Sequence, residues 1–260
     1  MVRKEMNIPA SSADRFRSAL VLVATLGMIA FNALAAAGRV NGVTPAEISS
    51  KYPTVVTPAG YAFAIWSLIY AGLLVFSILQ MLPTRQERYR PIRSAYILSC
   101  ALNCAWIFFW HSDQIAISLA IIAFLLGTLI FIVAKVRVLD SPADIWLVKG
   151  PFGIYLGWVC AATLVNFAIL LRAAEVDLGS SEIVLGAVLV LIAAAFGVLI
   201  RVKLINYFAP LAIAWALTAI AVKQSGKTLV VSIAAVGVIA CLIAALSFVL
   251  KLKGSRDEQR

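Results

Sequence analysis

The chain is a succession of long apolar runs separated by short polar segments. Most runs hold roughly 18 or more hydrophobic residues, the length that a helix needs to cross ~30 Å of hydrocarbon. Backbone polar groups must be paired in lipid, which leaves helices or a closed barrel, and the alternating polarity of barrel strands does not occur here. The pattern predicts an all-α, polytopic transmembrane helix bundle with about eight spans: 18–37, 60–82, 91–111, 114–134, 150–171, 183–200, 204–222 and 228–250.

The polar connections are short, and prolines mark two of the predicted helix starts. Pro58 and Pro91 stand at the beginning of the second and third spans, where a missing backbone N–H is tolerated. Short links favour antiparallel neighbours. Only Arg201-Val-Lys203 separates the sixth and seventh spans. The predicted organisation is a leader, a five-helix core, three further helices and a basic tail: 1–17, 18–172, 183–250 and 251–260.

Composition agrees with a membrane protein. Hydrophobic residues make up 63% of the chain and charged residues 13%, with a mean hydropathy of +0.99. Soluble domains are typically about 45–50% apolar and ~25% charged. The composition therefore excludes an ordinary soluble domain.

Basic residues are distributed unevenly between the two sides of the predicted bundle. With eight spans, 17 of the 22 Lys and Arg residues lie on the side of the N-terminus. The other side keeps five: Arg39, Lys51, Arg172, Lys223 and Lys227. The positive-inside rule then predicts a bacterial inner-membrane protein with both termini cytoplasmic and residues 38–59 outside. The net charge of +10 is explained by topology and by attraction to anionic membrane lipid, so nucleic acid is not an expected partner.

A cleavable signal peptide is the alternative interpretation of the first span. Basic residues precede an apolar run that ends in Ala35-Ala36-Ala37-Gly38, which resembles a cleavage site. The apolar run of about 20 residues is longer than the usual 7–15, and cleavage would disturb the alternation of charge. An uncleaved first span is therefore the prediction.

Groups that carry out catalysis or ion coupling are scarce in the spans. No Asp or Glu lies in the middle of a span, although proton-coupled transporters generally need such a group. The cysteines are expected to be small buried hydrophobes rather than a disulfide framework: Cys100, Cys104, Cys160 and Cys241. The only histidine, His111, lies at a helix end without companion ligands. We therefore expect no enzyme activity, no metal site and no cofactor.

Aromatic and amide side chains recur at helical spacing on three of the spans. The i, i+3, i+7 pattern places each set on one helix face. The sets are Phe63, Trp66 and Tyr70; Asn103, Trp106 and Trp110; and Tyr155, Trp158 and Asn166. Counted in helical rise, Trp66, Trp106 and Asn32 share one depth in the outer half of the membrane.

Two interpretations of these stripes compete. Trp and Tyr collect at membrane interfaces, and such an aromatic belt accounts for Trp110 and Trp146. A belt does not account for Asn103 and Asn166, because amides in hydrocarbon need partners and should face the bundle. The alternative is an apolar pocket with flat aromatic walls and a few amides that orient a ligand.

Three stretches resemble the tryptophan-rich sensory proteins of the TspO/MBR (translocator protein, peripheral benzodiazepine receptor) family. Thr57-Pro-Ala-Gly-Tyr-Ala-Phe-Ala-Ile-Trp-Ser-Leu-Ile-Tyr70 is similar to the second-helix signature. Leu102-Asn-Cys-Ala-Trp-Ile-Phe-Phe109 is similar to the third-helix Asn-x-x-Trp element. Tyr155-Leu-Gly-Trp-Val-Cys-Ala-Ala-Thr-Leu-Val-Asn166 is similar to the fifth-helix element. The resemblance covers roughly residues 20–172.

The chain also departs from the family pattern. Prolines that usually accompany the second-, third- and fifth-helix motifs are absent, with Phe108 and Ile154 at two of those places. The loop before the second helix has fewer tryptophans. Spans six to eight have no counterpart in the family pattern.

The resemblance implies a membrane receptor or sensor that binds a flat hydrophobic ligand, a tetrapyrrole or a sterol, between the first loop and the outer ends of the core helices. It maps the site onto Trp66, Asn103, Trp106, Trp158 and Asn166, with Tyr52, Tyr70 and Tyr155 as second choices. The alternative function is a facilitative small-molecule transporter without ion coupling. The sequence leaves undecided whether the chain forms a homodimer.

Overall fold

The structure is a computed structural model that describes residues 12–257 and the side chains of residues 13–247. Most of the predicted leader and the last three residues of the basic tail lie outside this range. The described chain is all-α, as predicted, and contains no strand. Seven of its helices are long and apolar enough to cross a membrane.

The five-helix core begins with α1 (Ser12–Ala36) and the short helix α2 (Pro45–Lys51) in the first loop. A 3₁₀ turn (Gly60–Ala64) leads into α3 (Ile65–Leu79). A second 3₁₀ turn (Pro83–Arg85) leads into α4 (Gln86–His111), which is followed by α5 (Ile115–Val136). The one-turn α6 (Pro142–Asp144) and a π-helical turn (Ile145–Lys149) precede α7 (Gly150–Ala173).

Three further helices complete the bundle: α8 (Ser181–Leu204), α9 (Ala209–Lys223) and α10 (Thr228–Asp257). The seventh predicted span, 204–222, is thus a helix of only 15 residues. Arg201 and Lys203 are not a linker but belong to the last turn of α8. Seven full-length spans and one short apolar helix therefore replace eight equal ones.

Pro91 does not begin the third span, because α4 starts at Gln86 and holds Pro91 in its second turn. A proline there removes only one intrahelical hydrogen bond. The added turn is stabilised by Arg93, whose guanidinium donates to the Gln86 carbonyl at 2.7 Å. The contact from Arg93 therefore allows the helix to extend before Pro91, and the proline does not mark the helix start.

Asn206 determines where α9 begins. Ile205 adopts a left-handed conformation, φ 52°, which ends α8. Asn206 Oδ1 then accepts the backbone N–H groups of Phe208 and Ala209 at 2.9 and 3.0 Å. Its amide nitrogen donates to the carbonyl of Lys149 at 2.8 Å. Because one buried side chain caps α9 and binds the start of α7, the C-terminal helices are joined to the core.

α7 is the central helix and packs against α3, α5, α8 and α9. Its glycines allow the closest of these approaches: a Cβ on Gly157 would overlap the Ala209 carbonyl, and one on Gly153 would overlap Asn206. The main hydrophobic core fills α1, α3, α4, α5 and α7 and includes alanines of α9. A second core joins α7 to α8, α9 and α10. All four cysteines are unpaired, and three of them are buried.

A buried ionic network closes the end of the bundle opposite the first loop. Asp144 is fully buried and accepts hydrogen bonds from Arg85 at 3.1 Å, from Ser141 at 2.6 Å and from Tyr89. Arg88 completes an ion pair with it at 2.5 Å. We call this the basic end of the bundle, and the end that carries residues 38–59 (loop 1) the loop-1 end.

Candidate ligand site

The three predicted tryptophans meet at the loop-1 end of the core. Trp66 on α3 lies 5.9 Å from Trp106 on α4 and 6.2 Å from Trp158 on α7, between ring centroids. Tyr70 stacks on Trp66 at 5.3 Å with nearly parallel planes, and Tyr155 meets it edge-on at 5.9 Å. Such pairs contribute about 0.5–1.5 kcal/mol beyond burial. The three helix faces predicted from spacing therefore converge on one aromatic cluster.

A small cavity of about 30 Å³ adjoins this cluster, and we call it the aromatic cavity. Its walls come from five parts of the chain: loop 1, the 3₁₀ turn before α3, and helices α4, α7 and α9. The lining residues are Ser49, Pro58, Phe63, Trp106, Trp110, Trp158, Ala161, Ala162, Val165, Asn166, Ala216 and Ile220. None of them is charged. Trp66 lies behind this wall, in contact with Trp106 and Trp158.

Four polar groups that line the aromatic cavity are buried without a hydrogen-bond partner among the described residues. They are Ser49 Oγ, Trp106 Nε1, Trp158 Nε1 and Asn166 Oδ1. An unpaired buried polar group costs about 1–3 kcal/mol, so native structures contain few of them. Two indole donors, one amide acceptor and one hydroxyl at the same cavity can bind a molecule that carries complementary groups.

The two predicted amides have different roles in the structure. Asn166 donates from Nδ2 to Ser118 Oγ at 3.0 Å and presents its free oxygen at the cavity. Asn103 is fully buried beside the cavity, donates to the Tyr155 hydroxyl at 3.0 Å and accepts from Asn32 Nδ2 at 2.7 Å. Asn103 and Tyr155 therefore join α1, α4 and α7 behind the aromatic cluster.

Tyr52 is the one predicted site residue that the structure does not bring to the cluster. Its hydroxyl donates to Asp113 at 3.0 Å, and Asp113 also pairs with Lys51 at the surface of loop 1. Tyr52 instead packs against a separate small hydrophobic cluster that contains Ile48, Trp110 and Ile169. For Lys51 the carboxylate raises the pKa above its ordinary value.

The structure corrects the aromatic-belt interpretation for Trp110, which is buried, and agrees with it for Trp146, which is exposed. Trp110 is 4% exposed, lines the aromatic cavity and donates to the Pro45 carbonyl at 3.3 Å. Trp146 is 62% exposed near the basic end. The helical spacing from Trp106 to Trp110 could have placed Trp110 on the inner face. Ser49, Pro58, Ala216 and Ile220 carry no such signal, because they come from a loop and from a helix outside the resemblance.

A larger crevice of about 490 Å³ opens beside the aromatic cavity. It lies between loop 1, the end of α7 and the start of α8. Its walls include apolar Val55, Val56 and Leu189, and its rim carries Arg172 and Glu182. A narrow void of about 10 Å³ lies between the two. That void shares Val56 and Leu189 with the crevice and Ala161, Val165 and Ile220 with the aromatic cavity.

The long apolar helices, together with the family to which the chain belongs, define a multi-pass integral membrane protein with an aromatic cavity at one end of its bundle. Residues 18–248 match the family of TSPO-like proteins, and the chain is a member of that family. The match runs through α8 and α9 to residue 248 in α10, so the expectation that spans six to eight have no counterpart in the family is wrong. No curated protein and no solved structure matches the chain significantly.

Proposed function

We propose that this TspO-type membrane protein binds a flat hydrophobic ligand, a tetrapyrrole or a sterol-like molecule, at the aromatic cavity in a sensory role. The observation that carries the proposal is the set of four unpartnered polar atoms on Ser49, Trp106, Trp158 and Asn166. A ligand with acceptors for the indole N–H groups would remove their desolvation cost. A binding role without catalysis is part of the proposal.

The cavity walls favour a ligand that is flat and uncharged where it is enclosed. Phe63, Trp106 and Trp158 supply aromatic faces, and alanines leave room beside them. Because no charged side chain lines the cavity, burying a carboxylate there would carry an uncompensated desolvation penalty. The charged edge of a tetrapyrrole would therefore have to stay at the mouth of the site.

The aromatic cavity must widen to admit such a ligand. Its volume of about 30 Å³ suits one water molecule, whereas ligand pockets typically measure about 300–1,000 Å³. Ser49 and Pro58 are supplied by loop 1, and this wall is not part of a long helix. A single bound water is the competing occupant, because it could also pair with several of the four polar atoms.

Sensing is favoured over facilitative transport because the bundle is closed at the basic end. Phe76, Tyr96 and Phe152 pack edge-to-face there with centroids 4.8–5.6 Å apart. The Asp144 network lies beyond them. A ligand held in the aromatic cavity therefore has no continuous path along the helix axes.

The binding test is a titration of purified protein with protoporphyrin and, in competition, a sterol analogue. Porphyrin absorbance is the readout, since it does not depend on the tryptophan that is replaced. Trp158→Phe removes the indole N–H and should weaken binding roughly three- to tenfold. Trp66→Ala removes aromatic contacts and should weaken it at least as much.

The matched control for this titration is Trp146→Phe, because Trp146 is exposed and distant from the cavity. We expect its affinity to equal that of the wild type. Equal affinity of wild type, Trp158→Phe and Trp66→Ala would show that the cluster is packing and that porphyrin binds elsewhere.

We also propose that the protein lies in a bacterial inner membrane with both termini cytoplasmic. The support is the excess of Lys and Arg on the side of the termini, 17 of 22 residues. Topology reporters fused after Gly42 and after Arg260 test it. They should report opposite sides of the membrane, and a common side would refute this orientation.

A further inference from the structure

The segment 54–62, which comprises the end of loop 1 and the start of the 3₁₀ turn before α3, is anchored to α9. Gln224 at the end of α9 donates from Nε2 to the carbonyls of Thr54 and Thr57, both at 3.0 Å. The Ala59 backbone N–H donates to the Ala219 carbonyl at 3.0 Å. These bonds cross more than 150 residues of sequence, so they depend on the docking of the C-terminal helices.

Apolar contacts reinforce the same attachment. Val55 and Val56 are buried in the second core together with α8 and α9. A Cβ on Gly186 of α8 would overlap the side chain of Val55, so this side chain packs directly on the backbone of α8. Trp215 of α9 donates to the Ala62 carbonyl at 3.0 Å and meets Tyr61 edge-on at 5.3 Å. Both ends of the segment are therefore fixed by α8 and α9.

The start of the segment is also held together internally. The Thr57 hydroxyl accepts the Thr54 N–H at 2.9 Å, and the two threonine hydroxyls lie 3.1 Å apart. By contrast, the earlier part of loop 1 is tied to α4 and the turn that follows it, through Asn41 to the His111 carbonyl and through Lys51 to Asp113. The Lys51–Asp113 pair is exposed and adds little stability.

This segment separates two spaces. Thr54, Val55 and Val56 form one wall of the 490 Å³ crevice, whereas Pro58 lines the aromatic cavity. The narrow void between them is bordered by Val56. Displacing the segment would join the crevice to the cavity and create a space of the size that small-molecule sites require.

We propose that hydrophobic ligands reach the aromatic cavity through the crevice between α7 and α8, and that the C-terminal helices control this passage through Gln224. In the closed arrangement Gln224 holds Val55 and Val56 in place, and release of its two hydrogen bonds opens the passage. The proposal rests on the proposed function, since it assigns the access route of the same cavity.

The test measures access to the cavity without any ligand. Ser49→Cys places a thiol of nearly the same size at the buried cavity wall, and N-ethylmaleimide is the probe. Adding Gln224→Ala should accelerate labelling roughly 30-fold, the factor expected for loss of two ordinary hydrogen bonds. Leu185→Trp, which fills the crevice, should slow labelling several-fold.

The control variants distinguish loss of the Gln224 hydrogen bonds from a general loosening of the bundle. Lys223→Ala changes the neighbouring exposed residue of α9 and should leave the rate unchanged. Trp215→Phe keeps the ring contact with Tyr61 but removes the bond to Ala62, so it should accelerate labelling less than Gln224→Ala. Labelling of the chain without Ser49→Cys gives the background of the native cysteines.

Unchanged labelling in Gln224→Ala, or in Leu185→Trp, overturns the proposed passage. Failure of the proposed passage can be distinguished from failure of the proposed ligand binding. If Gln224→Ala accelerates labelling while porphyrin fails to bind, the passage stands and the assigned ligand is wrong. If porphyrin binds and none of these variants alters labelling, the ligand reaches the site by another route.

Discussion

The two ends of the bundle treat buried polar groups in opposite ways. At the basic end, Asp144 is surrounded by two arginines, a tyrosine and a serine that all pair with it. At the loop-1 end, four polar atoms of the aromatic cavity have no partner among the described residues. A second pair at the basic end, Asp14 with Arg90, is bidentate at 2.9 and 2.5 Å.

The paired groups at the basic end contribute to stability, whereas the unpaired groups at the loop-1 end are available to bind a ligand. Paired buried groups are costly to break, because the partner that remains is left desolvated. Unpaired buried groups already carry that cost in the folded protein, and a bound molecule can relieve it. The pairing is less complete at Arg93 Nη1, which lies 3.9 Å from Asp14 without a hydrogen bond. The comparison predicts that equal substitutions will have unequal effects at the two ends.

The largest effect is expected for Asp144→Ala. Its removal leaves Arg85 and Arg88 without their counter-charge and Tyr89 without its acceptor. Because the arginines are partly exposed, we expect the lower part of the range for broken buried pairs, about 3 kcal/mol. Thermal unfolding of the purified protein in detergent measures the loss.

The matched control is Asp113→Asn at the loop-1 end, because its pair with Lys51 is exposed and Asn tolerates the left-handed backbone of this position, φ 61°. Exposed pairs contribute about 0–1 kcal/mol, so this variant should unfold close to the wild type. Equal losses for the two aspartates would erase the distinction between the ends.

A smaller effect is expected for Asn103→Ala, which tests whether part of the loop-1 end is also paired for stability. The change leaves the Tyr155 hydroxyl and the Asn32 amide without their mutual partner. We expect a loss of about 2 kcal/mol in the free energy of unfolding. In a double-mutant cycle with Tyr155→Phe, the combined loss should be less than additive. Strict additivity would mean that this hydrogen bond contributes nothing.

The smallest effect, and one of opposite sign, is expected for Ser49→Ala. Its hydroxyl is buried without a partner, so replacing it with a methyl group should leave stability unchanged or raise it by up to about 1 kcal/mol. Ser118→Ala is the matched control, because that hydroxyl accepts Asn166 Nδ2 at 3.0 Å and its loss should destabilise by about 1 kcal/mol. Destabilisation by Ser49→Ala equal to that of Ser118→Ala would show that Ser49 is paired with a bound water.

Helical periodicity was enough to predict the aromatic cluster. A fixed rotation per residue places Trp66, Trp106 and Trp158 on definite helix faces, and antiparallel packing of short-linked spans aligns their depths. The same rule would have placed Trp110 inward, but the prior for an interfacial tryptophan gave the wrong location. Tyr52 was placed by resemblance alone, and its ion-pair neighbours hold it elsewhere.

Helix ends were harder to predict, because individual side-chain hydrogen bonds decide them. The seventh span loses its first residues because Asn206 caps α9 at Ala209 and binds the Lys149 carbonyl. The third span gains a turn before Pro91 because Arg93 stabilises it. The Asn206–Lys149 bond joins residues 57 positions apart, beyond any local window. Arg93 and Gln86 are only seven positions apart, but helix propensity does not include a side-chain bond of this kind.

The sequence by itself determined that this protein is a helical membrane bundle, which residues face inward and which family it belongs to. These properties follow from hydropathy, from the helical repeat and from local motifs, all of which are encoded over short stretches. Only the tertiary structure decided that α9 helps to enclose the aromatic cavity and that Gln224 holds loop 1. Those contacts depend on the close approach of α9 to α7 at Gly157, and hydrophobicity, which is non-directional, does not specify such an approach.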